Sequence, residues 1–130
     1  MTYEAINQLL QTKITNLLAI YCFGSQAQGT ANQASDLDLA VLVGGYVEPL
    51  LLWELSNELA DFALCPVDLI DLRAASTVMQ YQVITLGQRW WSSDGQAALF
   101  EAMVLSEKTE LDSARAGLMG DIQQRGSVYG

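Results

Sequence analysis

Two short motifs carry the side chains of this chain that are best suited to chemistry. Gly24-Ser25 closes one apolar run, and ten residues later Asp36-Leu37-Asp38 opens another. Residues i and i+2 of a strand point to the same face, so Asp36 and Asp38 are expected to project side by side. Paired carboxylates repel each other unless a cation lies between them, and proteins hold Mg²⁺ with carboxylates together with substrate phosphates. The pattern predicts magnesium-dependent chemistry on a nucleotide.

The Gly24-Ser25 pair is expected to contact the phosphates of that nucleotide. Glycine lets the backbone approach a ligand closely, successive N–H groups form a nest for anions, and the Ser25 hydroxyl is a further donor. A Gly-Ser pair alone also fits an ordinary turn. The phosphate role therefore depends on the carboxylates that follow it.

A third carboxylate, Asp68, stands inside the apolar segment Val67-Asp68-Leu69-Ile70. A carboxylate within a core strand is costly unless it is paired or bound to a metal. We expect Asp68 to complete a carboxylate triad and to accept the proton of an attacking hydroxyl. Asp71 competes for this role, but it has the opposite strand parity and stands at the end of the strand, so Asp68 is favoured.

The apolar patterns predict the elements that must position these residues. Their order is helix, strand, strand, helix, strand, helix, short strand and helix, over residues 3–11, 17–23, 37–43, 49–64, 67–72, 74–86, 88–92 and from about 93 onward. Together they predict one α/β (α+β) domain over residues 1–130, with a small mixed β-sheet flanked by helices. The C-terminal helix and short tail, about 94–130, are a candidate region for partner binding.

Composition and charge exclude several classes of function. The chain has 130 residues, about half of them apolar, and a formal net charge of −9. Direct nucleic-acid binding is not expected, because it needs clustered Lys and Arg. The chain contains no His, so any metal must be held by oxygen ligands. An acidic chain is suited to docking on a basic partner, although the charge also serves solubility.

Other segments predict a cytoplasmic protein with an ordinary core. No apolar run reaches membrane-spanning length, and the N-terminal residues lack the pattern of a signal peptide. Cys22 and Cys65 are expected to be free and buried. Trp90, Trp91 and Tyr81 are expected to pack in the core, with stacking on a nucleotide base as the alternative.

The combined pattern resembles the DNA polymerase β-like nucleotidyltransferase superfamily. Gly24-Ser25, ten residues, Asp36-Leu37-Asp38 and then Asp68 on a later strand carry this resemblance, which covers roughly residues 17–92. It is greatest for the minimal nucleotidyltransferase (MNT) antitoxins, which are paired with HEPN-domain ribonuclease toxins. The resemblance implies the nucleotidyltransferase fold, with Gly24 and Ser25 holding the triphosphate and the three aspartates forming the catalytic metal site.

The resemblance also implies an activity and a partner. Such an antitoxin transfers AMP from ATP to a tyrosine of the HEPN toxin, with two Mg²⁺ ions, and the added AMP blocks the toxin. Many relatives carry Arg four residues after the glycine, where this chain has Gln28. A neutral amide binds phosphate less strongly than a guanidinium does. Two alternatives remain open: an antitoxin that acts mainly by binding the toxin, and a nucleotidyltransferase for a small molecule such as an aminoglycoside.

Overall fold

A four-stranded mixed sheet forms the centre of the part of the chain that the computed structural model describes, residues 3–24, 36–93 and 95–108. The elements in chain order are α1 (Tyr3–Lys13), β1 (Leu17–Phe23), β2 (Leu37–Val43), α2 (Pro49–Ala63), β3 (Val67–Asp71), α3 (Thr77–Leu86), β4 (Gln88–Ser92) and α4 (96–108). The order of strands across the sheet is β3-β2-β1-β4. β1 is antiparallel to both β2 and β4, whereas β3 is parallel to β2. The predicted α/β domain with a mixed sheet and flanking helices is confirmed.

The two faces of the sheet support separate core clusters. On one face, buried residues of α1 and α2 pack against alternate residues of β2, and this cluster includes Ile6, Leu10, Leu39, Val41, Leu55 and Leu59. On the other face, buried residues of α3 and α4 pack against the intervening residues, and this cluster includes Ala40, Leu42, Val83, Ala97, Phe100 and Val104. Side chains of a strand alternate between faces, so Asp38 lies on the α3/α4 face with Ala40 and Leu42.

The strands agree closely with the sequence prediction, but two helices begin later than expected. α4 begins at residue 96 rather than at about residue 93. The pattern predicts a helix from residue 74, whereas α3 begins at Thr77. The backbone N–H groups of Ala74 and Ala75 instead donate to the carbonyls of Asp71 and Leu72 in tight turns. The Ser76 hydroxyl then caps α3 by accepting the N–H of Met79 at 3.2 Å. A capping residue that satisfies a free N–H fixes the start of a helix more strongly than the helix propensity of two alanines.

The ends of α2 and β3 are also one residue shorter than predicted. Leu64 adopts the left-handed conformation at φ 60° and its N–H donates to the Ala60 carbonyl, which ends the helix at Ala63. On α2, Leu55 and Leu59 are buried against the sheet, whereas Phe62 is 49% exposed.

The cysteines and large aromatic residues belong to the packing of the domain. Both cysteines are free; Cys22 is buried as predicted, whereas Cys65 is only half-buried. Trp90 and Trp91 pack against the α1/α2 cluster, and the ring centroids of Trp90 and Tyr3 are 5.3 Å apart. Tyr81 packs against the opposite cluster. These contacts favour the core interpretation of the aromatic residues over base stacking.

Candidate active site

The sheet brings the predicted carboxylates together at one end. β2 and β3 are parallel, and their register pairs Asp38 directly with Asp68. Asp36 immediately precedes β2, at the same end of the sheet. Directly paired residues of neighbouring strands project on the same face, so the Asp38 and Asp68 carboxylates stand next to each other on the α3/α4 face.

The end of β1 completes this arrangement from the other side of β2. Phe23, the last residue of β1, pairs with Asp38, and Gly24 follows it with a φ of +75°. A Cβ atom on Gly24 would overlap Oδ2 of Asp38. Gly24 therefore lies against the Asp38 carboxylate, and a larger residue would have to displace it.

The three aspartates form an anionic cluster in which each charge acts against its neighbours. Burial, and then the negative charges of Asp68 and Asp36, raise the pKa of Asp38 above its ordinary value. Within residues 3–24, 36–93 and 95–108, no Lys or Arg forms an ion pair with any of the three aspartates. Among the described residues, the site thus provides negative charge without an ion-paired Lys or Arg to balance it.

The residues present have the chemistry of a magnesium site. Mg²⁺ prefers oxygen ligands, and it is usually bound by one or two carboxylates together with water and substrate phosphates. In the described part of the chain no three His, Cys, Asp or Glu side chains are close enough to hold a metal ion by themselves. Asp36, Asp38 and Asp68 are nevertheless oxygen donors at one end of the sheet, the ligand type that Mg²⁺ takes together with water and substrate phosphates.

Asp71, the alternative to Asp68, has a different task in the structure. Its side chain is buried and accepts the backbone N–H of Val47 at 2.8 Å and that of Arg73 at 3.1 Å. These bonds hold the segment before α2 and the segment after β3 at the end of the sheet remote from Asp38. Asp71 is thus a structural residue, whereas Asp68 is exposed beside Asp38.

Two of the predicted nucleotide-binding residues, Ser25 and Gln28, lie outside the described residues, so their roles remain predictions.

The structure adds a cluster of three polar side chains that the sequence does not reveal. Tyr21 on β1 and Arg89 on β4 both bind the Glu101 carboxylate of α4, each at 2.8 Å. Burial raises the pKa of Tyr21, and the hydrogen bond to Glu101 raises it further. Tyr21 and Glu101 are far apart in the chain, so no local pattern identifies their contact.

Comparison with known proteins supplies an independent line of evidence. The family described as "Polymerase beta, Nucleotidyltransferase" matches residues 4–96. The protein adenylyltransferase MntA of Shewanella oneidensis is 38% identical over 117 residues, which are 90% of this chain and 84% of that protein.

Solved structures extend the similarity to the whole fold. The chain is similar to one in a crystal structure of a toxin–antitoxin with AMP-PNP, with a TM-score of 0.84, 36% identity and coverage of 95% of this chain and 99% of that one. It is also similar to a chain in the structure of a tri-AMPylated Shewanella oneidensis HEPN toxin in complex with its MNT antitoxin, with a TM-score of 0.75, 34% identity and coverage of 92% and 94%. Within the described residues, no helix is both long and apolar enough to cross a membrane.

Proposed function

The chain belongs to the polymerase β nucleotidyltransferase family, and on this premise we propose that it is an antitoxin that transfers AMP from ATP to a tyrosine hydroxyl of a HEPN toxin. The observation that carries the proposal is the pairing of Asp38 with Asp68 on adjacent strands, with Asp36 beside them and Gly24 against the Asp38 carboxylate. This arrangement places the acidic groups of the predicted triad at one end of the sheet.

Asp36, Asp38 and Asp68 would hold magnesium, with two ions expected when ATP is bound. Held by these residues, Mg²⁺ would supply charge neutralisation for the phosphates and for the leaving pyrophosphate. Asp36 and Asp38 provide the negative charge that attracts the ions. Gly24, together with Ser25, is proposed to hold the triphosphate, and Gln28 contributes an amide where many relatives have an arginine.

The transfer is a single displacement at the α-phosphate of ATP. The acceptor oxygen forms a bond to the α-phosphorus, and the bond from that phosphorus to the bridging oxygen of the β-phosphate breaks. Pyrophosphate leaves with that oxygen, and Asp68 accepts the proton of the acceptor hydroxyl. Positioning and charge neutralisation dominate phosphoryl-type transfers, so the absence of His from the chain is compatible with this chemistry.

The proposal has consequences for partners and location. A HEPN toxin is a cytoplasmic ribonuclease in this scheme, so the chain would act in the cytoplasm as one domain over residues 1–130. Its net charge of −9 suits association with a basic protein and opposes direct binding to nucleic acid.

The test is incubation of the chain with ATP, Mg²⁺ and the HEPN-type protein encoded beside it, followed by intact-protein mass spectrometry. We expect AMP to be added to a tyrosine of that protein. The variant Asp36→Asn with Asp38→Asn should add none, whereas Asp61→Asn, an exposed substitution on α2 in the layer on the opposite face of the sheet, should match the wild type. Unmodified partner with the wild type, or equal modification by the double variant, would refute the proposal.

The main alternative is neutralisation of the toxin by binding alone. The same double variant distinguishes it, because a binding antitoxin would protect cells as well without the carboxylates. Protection is best measured at low expression, where an enzyme acts on many toxin molecules and a binding protein on one. Adenylation of an aminoglycoside by the purified chain would instead support the small-molecule alternative.

A further inference from the structure

The last helix, α4, has apolar residues on both of its sides. Its inward residues Ala97, Phe100 and Val104 are buried in the core cluster on the α3/α4 face. On its outer side, Leu99 is 68% exposed and Met103 is 45% exposed. One apolar side is sufficient to attach a helix to a domain, so the outer side needs a separate explanation.

The exposed positions of α4 between residues 98 and 106 carry no charge. They are Ala98, Leu99, Ala102, Met103, Leu105 and Ser106. We name four of them, Ala98, Leu99, Ala102 and Met103, the α4 outer face. By contrast, α2 places Glu54, Glu58 and Asp61 among its exposed residues. An exposed apolar strip without charges, in a chain with a net charge of −9, is a candidate surface for binding another protein.

Polar contacts on the inner side hold α4 firmly against the sheet. The Glu101 carboxylate accepts hydrogen bonds from Tyr21 of β1 and from Arg89 of β4, each at 2.8 Å. The Arg73 guanidinium, which follows β3, lies 5.2 Å from the centre of the Phe100 ring. These contacts fix α4, and with it the α4 outer face, against β1, β4 and the segment that follows β3.

α4 lies in the layer on the carboxylate side of the sheet. α4 packs on the same face of the sheet as Asp38 and Asp68, whereas α1 and α2 cover the opposite face. A protein that presents a hydroxyl to these carboxylates from the face on which they project approaches the layer that contains α4. The exposed Leu50 and Trp53 of α2 belong to the layer on the opposite face of the sheet.

We propose that the α4 outer face is the docking surface for the protein that accepts AMP, an inference that rests on the proposed function. Leu99 and Met103 would insert into an apolar surface of the acceptor, with the small Ala98 and Ala102 allowing a close approach. The acidic chain attracts a basic acceptor at long range, and the uncharged face then binds it without removing charges from water. A methionine suits this role because its flexible side chain adapts to the partner.

The experiment compares two double variants of the full chain. Leu99→Asp with Met103→Asp places charges on the α4 outer face, and Leu50→Asp with Trp53→Asp places them on the opposite layer as the matched control. For each, calorimetry measures the affinity for the neighbouring HEPN-type protein and, separately, for AMP-PNP with Mg²⁺. We expect the first variant to bind the HEPN-type protein at least about 30-fold more weakly, as for interface hot spots. The control should change by less than about threefold, and neither should lose AMP-PNP affinity.

Other occupants of the face give different results, and each would overturn the proposal. If the face binds a second copy of the chain, light scattering will show a wild-type dimer that the first variant abolishes. If another part of the same chain covers it, the isolated first variant will melt at a markedly lower temperature than the control. Equal affinity of both variants for the HEPN-type protein would also contradict it. Failure of the proposed function gives a different result. In that case the wild-type chain binds the HEPN-type protein but transfers no AMP to it.

Discussion

Gly24 and Asp38 occupy adjoining space, because the position that a side chain on Gly24 would need is filled by the Asp38 carboxylate. This contact joins the end of β1 to the middle of the candidate metal site. The glycine is therefore required for two independent reasons, its positive φ and its lack of a Cβ atom. It links the phosphate-binding motif to the carboxylates more directly than their separation in the sequence implies.

Replacement of Gly24 by alanine is expected to inactivate the protein. The new methyl group must displace the Asp38 carboxylate, and a catalytic group moved by about 1 Å costs roughly 100-fold in rate. Gly45→Ala is the matched control, because a Cβ there meets no atom within 4 Å. The rate of AMP transfer and the affinity for Mn²⁺ measure the effect, and full activity of Gly24→Ala would show that the carboxylate does not need this position.

Asp38→Asn is expected to stabilise the protein when no metal is present. Burial and the charges of Asp68 and Asp36 raise the pKa of Asp38. A raised pKa means that the protonated carboxyl favours the fold; this contribution is present below the pKa of the unfolded chain and is lost as the pH rises through the folded pKa. The variant should therefore melt above the wild type at neutral pH in EDTA, and the difference should shrink as the pH falls.

A scan of melting temperature against pH, with Asp61→Asn as an exposed control, measures this difference. Addition of Mg²⁺ and AMP-PNP should reverse the order, because a ligand stabilises only the protein that binds it, by about 2.7 kcal/mol at 100 times its dissociation constant. If Asp38→Asn is less stable than the wild type in EDTA at neutral pH, the Asp38 carboxylate is not destabilised by burial and by repulsion from its neighbours.

Substitution of Asp68 should impair activity, and substitution of Asp71 should impair stability, although the two residues are only three positions apart. Asp68→Asn is expected to abolish transfer without lowering the melting temperature, because Asp68 is exposed and its charge acts against that of Asp38. Asp71→Ala leaves the N–H groups of Val47 and Arg73 without their acceptor, which costs roughly 2–4 kcal/mol in the free energy of unfolding. Urea unfolding and single-turnover assays at low temperature measure the two effects. A stable but inactive Asp71→Ala protein would reverse the assignment.

Tyr21→Phe tests the attachment of α4 to the sheet. The substitution removes the hydroxyl that donates to Glu101 and leaves the ion pair between Glu101 and Arg89 in place. Because the lost bond reaches a charged group from a buried hydroxyl, the free energy of unfolding should fall by about 1–2 kcal/mol. Tyr46→Phe, at a side chain that is 71% exposed, should have no measurable effect in the same urea titration.

Much of the fold follows from local patterns, and the site follows only in part. The apolar runs that end at Gly24 and Gly44 define β1 and β2, because glycine interrupts strands. The predicted start of α3 at residue 74 was wrong, because the Ser76 hydroxyl caps the helix and this outweighs the helix propensity of the residues before it. The pairing of Asp38 with Asp68 could not be derived from the sequence, because strand register depends on contacts between distant segments. The metal and phosphate roles of the site residues remain proposals for the experiments above.

The order of strands in the sheet has a consequence for how the domain folds. β1, β2 and β3 follow one another in the chain and are adjacent in the sheet, whereas β4 must return to β1 after all of them. Contacts between nearby segments form sooner than those that close long loops. The three strands around the carboxylates are therefore expected to assemble first. β4 then pairs with β1 at the edge of the sheet, and α4 packs on its face. A chain still emerging from the ribosome would thus acquire its acidic centre before the surface proposed to receive its partner.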